Sequence, residues 1–203
     1  RLDDKPEIKE KYFTIIENES DHLLMLTNKV LTLSKLENHK LEMAKSTFEL
    51  QPMMADLKEK FTTKATKPVH ITINLQADTA YADDEFIKEA ISNLLDNSIK
   101  YSGESVNIDI SSQVTDKYTL IKVRDNGIGI SEKDMKTIFD KFERASASLR
   151  TKSGGTTGFG LGLNYVMNVT RSHGGYVSVE SQEGKYSEFT ISLPVSTTEE
   201  TTV

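Results

Sequence analysis

Asn93, Asn97, Lys100 and Tyr101 stand close together in the run NLLDNSIKY. On a helix, residues three and four apart are neighbours, so the two asparagines and the lysine share one stripe with the phenol beside it. Asparagine is a poor helix-interior residue because its amide competes for backbone hydrogen bonds. Two of them one turn apart, next to Leu94 and Leu95, therefore ask for a reason. Magnesium takes oxygen ligands, keeps several waters and shares phosphate oxygens with one or two protein groups. Amide oxygens beside a lysine suit a metal–triphosphate complex. A polar stripe that hydrogen-bonds across to another helix would use the same residues, and spacing alone does not separate the two.

A second group is DNGIGI, Asp125 to Ile130. Asn-Gly is a common hairpin turn. Here, however, Ser131 and Asp134 follow in a capping-box spacing that opens a helix rather than a return strand. Asp125 closes an alternating apolar strand, which directs its carboxylate into or beside the core, where it needs donors. An adenine amino group is one such donor, and Gly129 would let a planar ring approach the backbone. A third group is Gly158, Gly160 and Gly162 at a helix start, preceded by Gly154 and Gly155. Free amides at a helix N-terminus bind phosphate. Lys141, Arg144, Arg150 and Lys152 lie between the two glycine groups, a local excess of cations fit to meet a polyanion.

The elements that must hold these residues follow from periodicity. Residues 7–44 read as one long helix, opened by Asp3, Asp4 and Pro6, with Ile16, Leu23 and Val30 seven apart in a bundle-type stripe. A strand at Thr47–Leu50 and a helix from Pro52 to about Thr66 come next. Alternation predicts strands at Val69–Leu75, Val106–Val114, Tyr118–Val123, Tyr176–Ser181 and Glu188–Leu193. Helices are expected over Asp84–Lys100, 131–138 and from Gly160 to His173, while 139–157 shows no period. The expected fold is α+β, a two-layer α/β sandwich with a mixed, mostly antiparallel sheet, preceded by one long helix. The domain division expected is 1–44, 45–196 and a solvated tail at 197–203.

Composition excludes several chemistries. The 203 residues hold no cysteine, which removes disulfides, thiolate metal sites and cysteine nucleophiles. The 31 acidic against 25 basic side chains, a net charge of −6, argue against a nucleic-acid-coating role. The four histidines are scattered without metal-ligand spacing, and neither GxxxxGK[ST], GxGxxG nor GxSxG occurs. No apolar run is long enough to span a membrane or to form a signal peptide. The first residue is Arg1 rather than Met, which reads as a piece of a longer chain.

Taken in order, the motifs resemble the ATP-binding catalytic domain of sensor histidine kinases, within the gyrase, chaperone, histidine kinase and mismatch-repair superfamily. NLLDNSIKYS is similar to the N box, DNGIGI to the G1 box, FDKFER (Phe139 to Arg144) to the F box and GFGLGL to the G2 box. HGGYVSVES (His173 to Ser181) is similar to the segment that follows. The resemblance covers roughly 45–195, and 7–44 resembles the second helix of the preceding dimerisation and phosphotransfer domain. It implies ATP and magnesium as cofactors. Asn97 would be the magnesium ligand, with Asn93 near metal and phosphates, and Lys100 and Tyr101 on the phosphate and ribose side. Asp125 would receive the adenine amino group over a floor of Gly127 and Gly129. Arg144 would approach the γ-phosphate from a lid over about 139–160, hinged by Gly158, Gly160 and Gly162, with Leu163 against the nucleotide.

The resemblance further implies a two-component signalling role, with a response-regulator receiver domain as partner. It implies a homodimeric parent anchored in the bacterial inner membrane, this region being cytoplasmic and touching neither nucleic acid nor membrane. Two departures sharpen it. Hydrolysing relatives carry a water-activating glutamate four residues before the metal-binding asparagine; here that position is Asn93, which disfavours hydrolysis and favours transfer. His22 precedes Leu23 and His39 precedes Lys40, so neither stands in the acceptor context, and the acceptor helix is expected to lie upstream. An ATPase switch and a non-catalytic dimerising module are the competing readings. Asn93 opposes the first and the intact boxes the second.

Overall fold

The computed structural model describes residues 6–38, 40–141 and 160–196. The chain forms two compact units, one up to Leu41 and one from Glu42 onward. The first is a single helix, α1 (Pro6–Glu37), which leaves Ile16, Leu23 and Val30 of the expected stripe exposed. It ends seven residues short of the expected 44. The Asn38 side chain donates back to the Ser34 carbonyl at 2.7 Å, and the Lys40 amide reaches the Lys35 carbonyl at 2.9 Å. Together they close the last turn, the local role in which asparagine outcompetes helix propagation.

The second unit opens with β1 (Ser46–Glu49) and α2 (Leu50–Lys64), followed by β2 (Val69–Leu75) and β3 (Thr79–Ala82). Then come α3 (Asp84–Lys100), β4 (Val106–Val114), β5 (Tyr118–Asp125), α4 (Gly162–Ser172), β6 (Tyr176–Gln182) and β7 (Tyr186–Pro194). β2, β4, β5, β7 and β6 lie side by side in that order, while β1 and β3 make a separate antiparallel pair. β2 runs parallel to β4, the connection between them carrying α3, and the other three pairings are antiparallel. This is the mixed, mostly antiparallel sheet expected from sequence.

Alternation along the strands sorts the faces. Ile71, Ile108, Ile110, Ile121, Val123, Phe189 and Ile191 are buried on one side. The helices supply Leu57, Ile87, Ile91, Leu94, Leu95, Tyr165, Val166 and Val169 to the same core. Each such side chain contributes about 1.5–3 kcal/mol relative to exposure.

Local differences from expectation have local causes. Leu50 begins α2 instead of ending β1, so Pro52 sits in the first turn, where its missing amide hydrogen costs nothing. β3 escapes a sequence reading because TAYA is only four residues long. The expected helix at 131–138 reduces to a 3₁₀ turn at Asp134–Lys136. Ser131 does accept from the Asp134 amide at 3.1 Å, and the backbone keeps turning as far as Asp140 without settling into a regular α-helix. β5 extends two residues beyond the expected Val123, making Asp125 its last residue and placing it inward.

Candidate functional site

α3 and α4 run antiparallel along matched positions. The Tyr165 hydroxyl donates to Glu89 at 2.6 Å, and a Cβ at Gly162 would lie 3.2 Å from the Asn93 amide oxygen. α4 therefore begins opposite the middle of α3. The second half of α3, carrying Asn93, Asn97 and Lys100, extends past that start. Asn93 is buried, and its amide nitrogen donates to the Glu89 carbonyl at 2.8 Å. That bond turns its oxygen towards Gly162. Asn97 is half-buried, and among the described residues its side-chain amide takes part in no hydrogen bond. Lys100 lies 5.1 Å above the Tyr101 ring, which holds the cation at the end of the stripe.

Asp125 is held differently. Its carboxylate accepts from the Gly127 amide at 2.8 Å on one oxygen and from the Ser98 hydroxyl at 3.0 Å on the other. Burial raises its carboxyl above the ordinary range. The Gly127, Ser98 and Ser187 hydrogen bonds and the Arg124 charge oppose that rise without cancelling it. Ser98 was not among the residues singled out from sequence. The available signal was a hydroxyl in register with Ile87, Ile91 and Leu94 on the apolar face of α3.

The glycines are demanded by backbone approach. A Cβ at Gly127 would sit 2.6 Å from the Tyr101 carbonyl, which also accepts the Ile128 amide at 2.9 Å. The segment after Asp125 is thereby strapped to the end of α3. Gly129 has φ +65°, and its missing Cβ points into the carbonyl of Gln182, the last residue of β6. On its Cβ side, Gly129 is thus required by protein backbone. The Gly184 amide, donating to the Ile128 carbonyl at 2.7 Å, closes the same contact.

Gly160, at φ +70°, Leu161 and Gly162 lead into α4, whose start has no side-chain cap among the described residues. Its first amides are the uncapped donors of a helix N-terminus, directed at the Asn93 side. Leu163, half-buried, is in this first turn. Asn164, also unflagged by the sequence, is buried and donates to the Phe139 carbonyl at 2.9 Å. The chain before residue 142 is so anchored to the start of α4, where the described chain resumes. Arg144 and Gly158, with Arg150 and Lys152, lie outside the described residues.

The structure thus brings Asn93, Asn97, Lys100, Tyr101, Asp125, Gly127 and Gly162 around the second half of α3. A buried acceptor stands at one side and an amide stripe facing uncapped helix donors at the other. No group of three or more His, Asp or Glu side chains among the described residues is placed to hold a metal by itself. Amide oxygens supplemented by phosphate oxygens remain the donor set that fits magnesium here. The fold that carries these features is an α/β sandwich built on one five-stranded mixed sheet.

Residues 82–197 match the model of the family described as histidine kinase-, DNA gyrase B- and HSP90-like ATPase. The chain belongs to that family. It is 30% identical over 192 residues to sensor histidine kinase WalK of Bacillus subtilis, covering 93% of this chain and 31% of WalK. The chain spans about a third of the length of the curated relatives it matches. Among solved structures, Acinetobacter baumannii histidine kinase AdeS superposes with a TM-score of 0.76 at 24% identity, over 91% of this chain and 84% of that one. Full-length ShkA in complex with AMPPNP superposes with a TM-score of 0.78 at 23% identity, over 93% of this chain and 39% of that one. Among the described residues, no helix is long and apolar enough to cross a membrane.

Proposed function

We propose that this chain is the catalytic region of a sensor histidine kinase. It binds Mg·ATP and passes the γ-phosphoryl group to a histidine outside these 203 residues, for onward transfer to a response-regulator receiver domain. In this reading 1–44 belongs to the dimerisation and phosphotransfer domain of a homodimeric, inner-membrane-anchored parent with this region in the cytoplasm. Residues 45–196 form the ATP-binding domain and 197–203 a tail.

Asn93 is the observation that carries the reading. It occupies the position four residues before Asn97, where a hydrolytic enzyme of the family needs a carboxylate to deprotonate water. The next carboxylate back along the same face, Glu89, accepts the Tyr165 hydroxyl and is thereby engaged in holding α4. Transfer needs no such base in this chain, because phosphoryl transfer rests mainly on positioning and charge stabilisation. Asp125 accepts the adenine amino group. Asn97 offers its amide oxygen to magnesium, which when bound neutralises phosphate oxygens, and Asn93 stands beside metal and phosphates. Lys100 and Tyr101 meet the phosphate and ribose side. The first amides of α4, with Gly158, Gly160, Gly162 and Leu163, and Arg144 complete the phosphate end.

The test is incubation with labelled ATP and magnesium, with and without a separately supplied helical hairpin carrying an acceptor histidine. Acid-labile label is expected on the hairpin and not on this chain. Fast release of inorganic phosphate without an acceptor, or stoichiometric label on His22 or His39, would sink the proposal.

A further inference from the structure

The end of α3 remote from Asn97 is locked by three polar contacts that meet at Asp83. The Asp83 amide donates to Nε2 of His173 at 3.0 Å, and Nδ1 of the same ring meets the Val169 carbonyl at 2.8 Å. A backbone amide can only donate, so Nε2 carries no proton, and the ring is neutral with its hydrogen on Nδ1. The Asp83 carboxylate accepts from the Ala44 amide at 2.9 Å and, more loosely, from the Phe86 amide at 3.4 Å as the cap of α3. Asp83 and His173 are 6% and 4% exposed, so this cluster exchanges little with water. Burial, with the Lys45 charge, holds the imidazole below its ordinary range, against the pull of the Val169 carbonyl and Asp83.

The cluster is the third rung of a ladder. Asp83 bonds His173, Glu89 bonds Tyr165 and Gly162 packs beside Asn93, so α4 is set against the first half of α3 along its whole length. From Asp83 to Asn93 is ten residues of helix, roughly 15 Å at ~1.5 Å per residue. A helix transmits axial displacement along its length because its hydrogen bonds run parallel to the axis. A slip of α4 at His173 therefore reappears at Gly162, which lies so near Asn93 that a Cβ added there would stand only 3.2 Å from the amide oxygen. Gly175, two residues after His173, fits against the Ser192 carbonyl with no room for a Cβ, which holds the far end of α4 to the sheet.

We propose that His173 is a positioning residue for the nucleotide site. In its neutral form it fixes the axial register of α4 on α3, and with it the distance between the first amides of α4 and the Asn93–Asn97 stripe. The proposal rests on the nucleotide reading of that stripe, and goes beyond it in giving the site a support on the far side of the helix pair.

The experiment compares the 203-residue chain with His173→Leu and His173→Gln. Calorimetry would follow titration with magnesium and a non-hydrolysable ATP analogue, and amide hydrogen exchange would be read at Asp83 and Ala44. Leucine fills the space without an acceptor, whereas glutamine can present a carbonyl oxygen to the Asp83 amide. His173→Leu is expected to weaken the analogue about fivefold or more, the lower range of coupling between sites, and His173→Gln to recover most of that loss. Because coupling is reciprocal, the analogue should also slow exchange of the Asp83 amide in the unaltered chain. Folded His173→Leu with unchanged affinity, or Asp83 exchange indifferent to the analogue, would overturn the proposal. Should His173→Leu not fold, the unaltered chain and His173→Gln decide it by the same two readouts. An unaltered chain that binds no analogue would instead overturn the nucleotide reading itself.

Discussion

The two sides of the site are built on opposite plans. At Asp125 the protein satisfies the acceptor in advance: both carboxylate oxygens have donors, the residue is buried, and glycine-mediated backbone approaches fix the chain that follows. Among the described residues, the half-exposed Asn97 side chain has no hydrogen-bond partner and the helix start opposite has no side-chain cap. The first arrangement is rigid and selects a shape. The second, in the proposed reading, is completed by the phosphates and magnesium. Specificity for the base and affinity for the phosphates should therefore respond to mutation separately, since groups without shared partners act nearly additively.

The largest effect is expected where the rigid side is broken in its backbone. Gly129→Ala must place a methyl group at φ +65° and into the Gln182 carbonyl. The left-handed backbone alone costs roughly 1–2 kcal/mol. With the clash added, a loss of about 3 kcal/mol or more should appear in denaturant unfolding, with nucleotide binding reduced in the fraction that folds.

Asp125→Asn should leave the fold intact while removing the charge-assisted bond to an amino group, worth about 1.5–3 kcal/mol. ATP affinity is then expected to fall about tenfold or more, with the preference over GTP reduced, as measured by calorimetry. A pH signature accompanies it. Between the ordinary carboxyl value and the raised one, folded Asp125 keeps a proton that the unfolded chain has lost. Stability there falls as pH rises, and the asparagine variant should flatten that slope. Unchanged nucleotide preference would reduce Asp125 to a strand end.

Asn97→Ala probes the open side. Affinity should drop about tenfold in magnesium and change little in EDTA, because only the metal-bearing complex uses the amide oxygen. Equal losses in both conditions would return Asn97 to a structural role.

Ser98→Ala is the smallest and the finest probe. It removes one donor from Asp125, about 1 kcal/mol, and raises the carboxyl further, since the Ser98 bond lowers it. A roughly threefold loss of ATP affinity is expected at neutral pH, growing in mild acid as more of the carboxyl is protonated. An effect independent of pH would show that Ser98 only packs the helix.

The expected elements and the observed ones agree best where a pattern is long and local. Asp84–Lys100 and Val69–Leu75 stand at the limits their periodicity predicts. Disagreement gathers where few residues decide: α1 stops at a single asparagine, β3 is four residues long, and the segment after Ser131 makes a run of turns instead of a helix. In the site, the residues missed were Ser98, Asn164 and the pair Asp83 and His173. Each is an ordinary helix or cap residue whose meaning depends on a partner far along the chain.

By itself the sequence determined the stripe on α3, the inward end of β5 and the glycines that permit close approach. Helical and strand periods place neighbours within one element, and residue type sets what each can donate or accept. Only the tertiary structure decided which groups those residues face. Ser98 meets Asp125 across 27 positions, Gly129 meets the backbone at Gln182, and His173 meets Asp83 across 90. Such contacts join elements with no period in common, so they exist only once sheet order and the antiparallel register of α3 and α4 have brought the elements together.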